Sequence, residues 1–209
     1  MTLLFVFDMD DVLYDYDWRR RMEGLVELTG VPFAELRRRW WHDEGEFAAE
    51  AGGFPDADSY HRAALAAFGA EVSVEDWISN RRHAMTPFPD SFAAVARARE
   101  LGAVSLLTNN GPLVHAHLAT LAHELVDLFE PDDLRTSSFY GARKPDPLVF
   151  ERMLESYRAD PRDVFFADDL PENVASAAGL GITAHHFTDP AGLRAAIEDF
   201  AASRGCADP

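Results

Sequence analysis

The sequence predicts an α/β protein built on a doubly wound parallel sheet, and three observations carry that prediction. Continuous apolar runs of strand length recur at residues 3–7, 103–107, 163–167 and 182–187. Helical patterns follow at 90–101, 112–125, 146–157 and 171–178. The alternation breaks once, from Asp17 to about Arg82, where every patterned stretch is helical.

Each element follows from its residues. Apolar runs without polar alternation suit strands buried on both faces, as in a parallel sheet covered by helices. The first run, LLFVF, stops abruptly at Asp8-Met9-Asp10. The interruption reads as helices over 18–29, 32–41, 59–68 and 73–82, separated by the Gly-rich EAGGFPDAD and a turn at Gly69. Asp17 is placed to cap the first of them. TPFPDS, residues 86–91, reads as the linker back into the sheet. The expected organisation is a core of residues 1–14 and 87–209 with a helical cap, residues 15–86, inserted after the first strand.

Composition narrows the partners. A formal charge of −17 argues against nucleic acid or an anionic membrane surface. Residues that are 47% apolar and 11% aromatic argue against disorder. No run reaches membrane-spanning length, and the apolar start is too short and too soon acidic for a signal peptide. A cytoplasmic protein is expected. The single cysteine, Cys206, allows no disulfide within the chain and no cysteine-based metal site. Of 19 basic residues, 18 are arginine, and Lys144 is the only lysine.

The strand ends carry the chemistry. Five aspartates crowd positions 8–17, a cost unless positive charge joins them. Asp8-Met9-Asp10 follows the first run, Thr108-Asn109-Asn110-Gly111 the second, and Asp168-Asp169 the VFFA run. Arg143-Lys144-Pro145-Asp146 precedes a helix. In doubly wound proteins ligands sit beyond the carboxyl ends of the strands, which is where these groups fall.

FDMDDVLYD, LLTNNG, RKPDPLVFERML and VFFADDLPENVASAAGLGI, in this order, resemble the haloacid dehalogenase superfamily, in its phosphatase-like branch with a helical cap after the first motif. The resemblance spans nearly the whole chain. It implies a Rossmann-like core and Mg²⁺-dependent hydrolysis of a small phosphorylated metabolite through an aspartyl-phosphate. It implies Asp8 as nucleophile and Asp10 as the acid and base at the leaving oxygen. Thr108 and the Asn109 amide would hold the phosphoryl oxygens, and Lys144 would offset gathered negative charge. Mg²⁺ would be held by the Asp8 carboxylate, the Asp10 backbone carbonyl and Asp169, with Asp168 and Asn173 in support. The chemistry is sound, because a carboxylate attacks phosphorus once cations neutralise both. Asp11 departs from the pattern, replacing the usual small residue. Asp10 itself argues for phosphate over haloacid, since a departing halide needs no proton. The alternatives are a haloacid dehalogenase or sugar-phosphate mutase on the same scaffold, or a non-catalytic binding protein retaining the fold.

Other polar groups have plainer expectations. Asp15 and Asp17 should face solvent. The triplets Arg19-Arg20-Arg21 and Arg37-Arg38-Arg39 should be solvated faces, against the sharper option that one arginine of each reaches the site mouth. Trp40-Trp41-His42 should pack the cap, with one ring lining the pocket. Glu46, Phe47 and the loop Gly52-Gly53-Phe54 occupy positions that can read a leaving group. His115, His117, His123, His185 and His186 should be ordinary surface or core residues.

Overall fold

A computed structural model describes residues 2–205. The chain begins with β1 (Leu4–Phe7) and β2 (Tyr14–Tyr16). Five helices follow: α1 (Trp18–Thr29), α2 (Phe33–Trp40), α3 (Glu46–Glu50), α4 (Ala57–Phe68) and α5 (Val74–His83). Next come β3 (Met85–Pro87), α6 (Pro89–Leu101), β4 (Ala103–Thr108), α7 (Pro112–Leu121), β5 (Leu134–Thr136) and α8 (Ser137–Tyr140). The last third holds α9 (Pro147–Tyr157), β6 (Val164–Asp168), α10 (Pro171–Gly179), β7 (Thr183–His186) and α11 (Pro190–Ser203).

Five strands pair in the order β5-β4-β1-β6-β7, every neighbour parallel. This is the doubly wound α/β architecture that the sequence predicts. β1 lies at the centre, with Phe7 beside Leu106 on one side and Ala167 on the other. All four of its residues are buried, which explains its unbroken apolar run. One face of the sheet presents Phe5, Phe7 and Phe165 to Phe200 of α11, with Phe5 and Phe200 meeting edge to face at 5.5 Å. The other presents Val6 and Phe166 to Phe150 of α9. Sequence order reverses on either side of β1, so its carboxyl end opens into a crevice.

The elements that were not foreseen include β5, α3 and α11. β5 is a three-residue edge strand, LRT, whose central arginine interrupts any apolar run. α3 is a five-residue helix in a stretch expected to be loop. α11 buries Leu193, Ile197, Phe200 and Ala201 at helical spacing, behind an Asp189 cap that accepts from Gly192 N. The expected linker at 86–91 is partly β3 and partly the first turn of α6.

Helices α1–α5 leave and rejoin the sheet side by side, because β2 and β3 pair antiparallel with Tyr16 opposite Met85. Asp17 caps α1, its side chain accepting from Arg20 N, and it is exposed, as is Asp15. The helices close over their own aromatic cluster of Trp40, Tyr60, Phe68 and Trp77, all buried. Each such side chain contributes roughly 1.5–3 kcal/mol on burial. Where this segment meets the rest of the chain, Gly52 sits at φ +77°, and a Cβ there would stand 2.7 Å from the Cα of Gly141. Only glycine fits that seam. Among the described residues no helix is long and apolar enough to cross a membrane. Cys206 lies outside the described residues.

Candidate active site

β1 delivers Asp8 to the crevice, and the backbone N–H of Asp8 donates to Ala167 O at 3.0 Å. Its carboxylate is nearly buried, accepting at Oδ1 from Met9 N at 2.8 Å and lying 3.0 Å from Lys144 Nζ. Lys144 is only 1% exposed and donates to Asp168 Oδ2 at 2.6 Å. The other Asp168 oxygen accepts from Asn173 Nδ2 at 2.8 Å and from Leu170 N at 2.9 Å. Both oxygens of Asp168 are therefore committed to protein donors.

Asp169 differs from its neighbour. It is half-buried, no other side chain among the described residues pairs with its carboxylate, and its oxygen lies with those of Asp8 and Asp168 within 4.8 Å of one another. Burial first, then the adjacent Asp168, pushes the Asp169 carboxyl up to about 6. Burial likewise drives Asp8 well above the usual carboxylate range, with Lys144 opposing. The cluster thus holds three carboxylates against one ammonium, two positive charges short of balance. Hard oxygen donors with that deficit suit a divalent cation such as Mg²⁺. No histidine joins the cluster, and among the described residues no other group of three potential ligands assembles.

Asp10 turns the other way. Arg81 of α5 donates through Nη2 to both of its oxygens, at 2.7 and 2.5 Å. Arg81 is wholly buried, its guanidinium 3.7 Å above the ring centroid of Tyr16. Its Nε and Nη1 have no hydrogen-bond acceptor, which leaves the aromatic face as their compensation. Sequence reasoning missed Arg81. The available signal was its position: Trp77, Ile78 and Arg81 share one buried face of α5, so a charge interrupts an apolar stripe. Asp11 adopts φ +58°, which explains why a small residue usually stands there, and Asp tolerates it. Its Oδ1 accepts from Tyr16 N at 3.2 Å and closes the turn.

Thr108, at the end of β4, is 1% exposed and accepts at Oγ1 from Asn110 Nδ2 at 2.9 Å. Asn109 grips the backbone of Lys144 from both sides, donating to its carbonyl at 2.8 Å and accepting from its N–H at 2.9 Å. The Asn109 side chain therefore positions the lysine, a role separate from the one expected of its amide.

Beside Asp10 lies a cavity of about 240 Å³ between α1–α5 and the end of β4. The triplet expectation divides here. Arg21 is buried and lines the cavity, whereas Arg38 and Arg39 pair with the partly exposed Glu35. Trp41 is the ring that faces the cavity, and Trp40 packs inside. Glu46 and Glu50 line it as well.

Burial, then Glu46, pushes the Glu50 carboxyl up to about 7, with Arg143 opposing at 2.7 Å. An acid whose folded pKa is raised binds more protons folded than unfolded, so its contribution favours the fold at low pH and fades as pH rises through 7. Glu50→Gln is therefore expected to raise the melting temperature at pH 8 and to change it little at pH 5. Thermal melts of the two proteins across that range measure the difference.

The family model described as "haloacid dehalogenase-like hydrolase" matches residues 2–181. Phosphatase MT3486 of Mycobacterium tuberculosis is 31% identical over 189 residues, covering 86% of this chain and 84% of the relative. D-ribitol-5-phosphate phosphatase of Bacteroides thetaiotaomicron is 24% identical over 185 residues, covering 84% of this chain and 87% of the relative. Among solved structures, a HAD family enzyme of Bacteroides thetaiotaomicron in complex with magnesium and inorganic phosphate superposes with a TM-score of 0.73 at 21% identity. That match covers 90% of this chain and 95% of the other.

Proposed function

Since the chain belongs to the haloacid dehalogenase-like hydrolases, we propose that it is a Mg²⁺-dependent phosphomonoesterase acting on a small phosphorylated metabolite. One observation carries this reading. The two carboxylates of Asp8-Met9-Asp10 part company, Asp8 entering the acidic cluster beside Lys144 and Asp10 turning to the cavity where a leaving group fits. A halide departs without a proton, whereas an alkoxide requires one, so an acid facing the leaving group supports phosphate ester over haloacid.

In this reading Asp8 attacks phosphorus while the bond to the ester oxygen breaks and Asp10 gives that oxygen its proton. Water then attacks the aspartyl-phosphate, Asp10 takes a proton from the water, and Asp8 is restored with release of inorganic phosphate. Splitting one displacement into two is the gain from a covalent intermediate. Lys144 and Thr108 hold the phosphoryl oxygens in a site with little water, where each contact counts for more. Arg81 orients the Asp10 carboxylate. Asp8, the Asp10 carbonyl and Asp169 hold Mg²⁺, with Asp168 and Asn173 in support; the cation supplies charge neutralisation between nucleophile and phosphate. The segment over 15–86 acts as a cap that keeps water from the site.

Release of phosphate from an aryl phosphate with Mg²⁺, abolished by EDTA and restored by added Mg²⁺, is the primary test; no turnover at any Mg²⁺ concentration sinks the reading. The two adjacent acids should separate. Asp169→Asn is expected to raise the Mg²⁺ concentration for half-maximal rate at least about tenfold. Asp168→Asn should instead lower the melting temperature, because it strips Lys144 of a buried partner.

A further inference from the structure

The cavity beside Asp10 is a mixed chamber. Arg21 is buried, its Nη1 donates to the Tyr16 hydroxyl at 3.0 Å, and its Nη2 has no hydrogen-bond partner among the described residues. Glu46 is buried and takes the Trp40 indole N–H at 2.7 Å and the Tyr60 hydroxyl at 2.6 Å on the same oxygen, Oε2. Oε1 is thereby left for a ligand. Glu50 likewise spends only Oε2, on Arg143. Trp41 and Phe47 add aromatic surface to the wall.

These groups select by chemistry. Arg81 also lines the cavity but its charge is matched by Asp10, so an anionic leaving group would meet one further cation, Arg21, against Glu46 and Glu50. An ammonium would stand against Arg21. A hydrocarbon would cover Arg21 and Glu46 without satisfying either, a heavy desolvation cost. Hydroxyl groups both donate and accept, and the C–H faces of a hydroxylated chain pack on aromatic rings. At about 240 Å³ the cavity is smaller than the common ligand pocket of roughly 300–1,000 Å³, which favours a short chain.

We propose that this cavity is the leaving-group subsite and that it takes a short polyhydroxylated chain, a polyol or small sugar, esterified to the phosphate that is cleaved. The inference rests on the phosphomonoesterase reading and adds the substrate class to it. Arg21 and Glu46 are its specificity-determining residues, one offering a donor and the other an acceptor to adjacent hydroxyls.

The test compares kcat/KM of the full chain with Mg²⁺ on four esters: ribitol 5-phosphate, n-pentyl phosphate, 3-phosphoglycerate and p-nitrophenyl phosphate. The expected result is a preference of about a hundredfold or more for ribitol 5-phosphate over n-pentyl phosphate, with 3-phosphoglycerate also poor. Arg21→Met and Glu46→Gln should each reduce the ratio of ribitol to p-nitrophenyl phosphate turnover by about tenfold or more. Equal kcat/KM for ribitol and n-pentyl phosphates, or a preference for 3-phosphoglycerate, overturns the subsite assignment. So does an equal loss on all four esters in both variants. The wild-type series decides even if Arg21→Met fails to fold. Failure of every ester, p-nitrophenyl phosphate included, condemns the phosphomonoesterase reading, whereas turnover of that ester without polyol preference condemns only the subsite.

Discussion

Asp8→Asn is expected to lower phosphate release by about 10⁴- to 10⁶-fold while leaving the protein folded. The amide keeps the shape of the side chain and can still accept from Met9 N, the 2.8 Å bond that aims it. What it lacks is the charge that attacks phosphorus. Stability should not fall, and at pH 8 it should rise. Burial holds the folded-state pKa of Asp8 well above its ordinary value, so the ionised form opposes folding, and it does so increasingly as pH climbs. A variant that melts at or above the wild-type temperature in EDTA yet gives no phosphate burst meets the expectation. Retention of more than about 1% of turnover, with a melt unchanged, removes Asp8 from the role of nucleophile.

Lys144→Met is expected to be costly in two ways. Lys144 is the sole side-chain cation among Asp8, Asp168 and Asp169, at 3.0 Å from the first and 2.6 Å from the second. Removing one partner of a buried pair typically costs about 3–5 kcal/mol, which for a chain of this size is a drop of roughly 6–20 °C in melting temperature. The loss should be smaller at pH 5 than at pH 8, because protonated carboxyls no longer need a counter-charge. Added Mg²⁺ should return part of it by supplying positive charge to the same oxygens. Turnover should fall about 10²- to 10³-fold even at saturating Mg²⁺, as for loss of a preorganised charge at the transferring group. Lys144→Arg should not restore it: the site is closed, and a planar guanidinium does not replace a compact ammonium. Calorimetry with and without Mg²⁺, paired with phosphate release, measures both effects.

The sequence was most legible where the chain is locally one-sided. β1 and β6 are buried along their whole length, so their apolar runs could be read directly, as could the acids at which they stop. β5 was illegible because an edge strand needs only alternate apolar residues, and three positions make no period. The same contrast divides the site. Asp8, Thr108 and Asp168-Asp169 end or follow apolar runs, Lys144 precedes a patterned helix, and the fold brings them to one crevice. Arg81 reaches Asp10 across 71 positions, and Arg21 is buried among residues far from it in the chain, sharing a cavity with Asp10, Glu46 and Asn110. Arg81 leaves only the faint trace of a charge in an apolar stripe and Arg21 leaves none, since an arginine in a helix reads as a solvated face until its neighbours are known. Asn109 was found for its place in the loop, yet its side chain grips the lysine backbone, a geometry that spacing alone does not encode.

The choice of a single lysine has a practical side. Apart from its N-terminus the chain owns one primary amine, and that amine lies 1% exposed between Asp8 and Asp168. Amine-selective acylation, once the N-terminal amine is set aside, therefore reports on one place in the molecule. Its rate at Lys144 tracks how often the crevice admits reagent, so the native protein is its own accessibility gauge, with no engineered label.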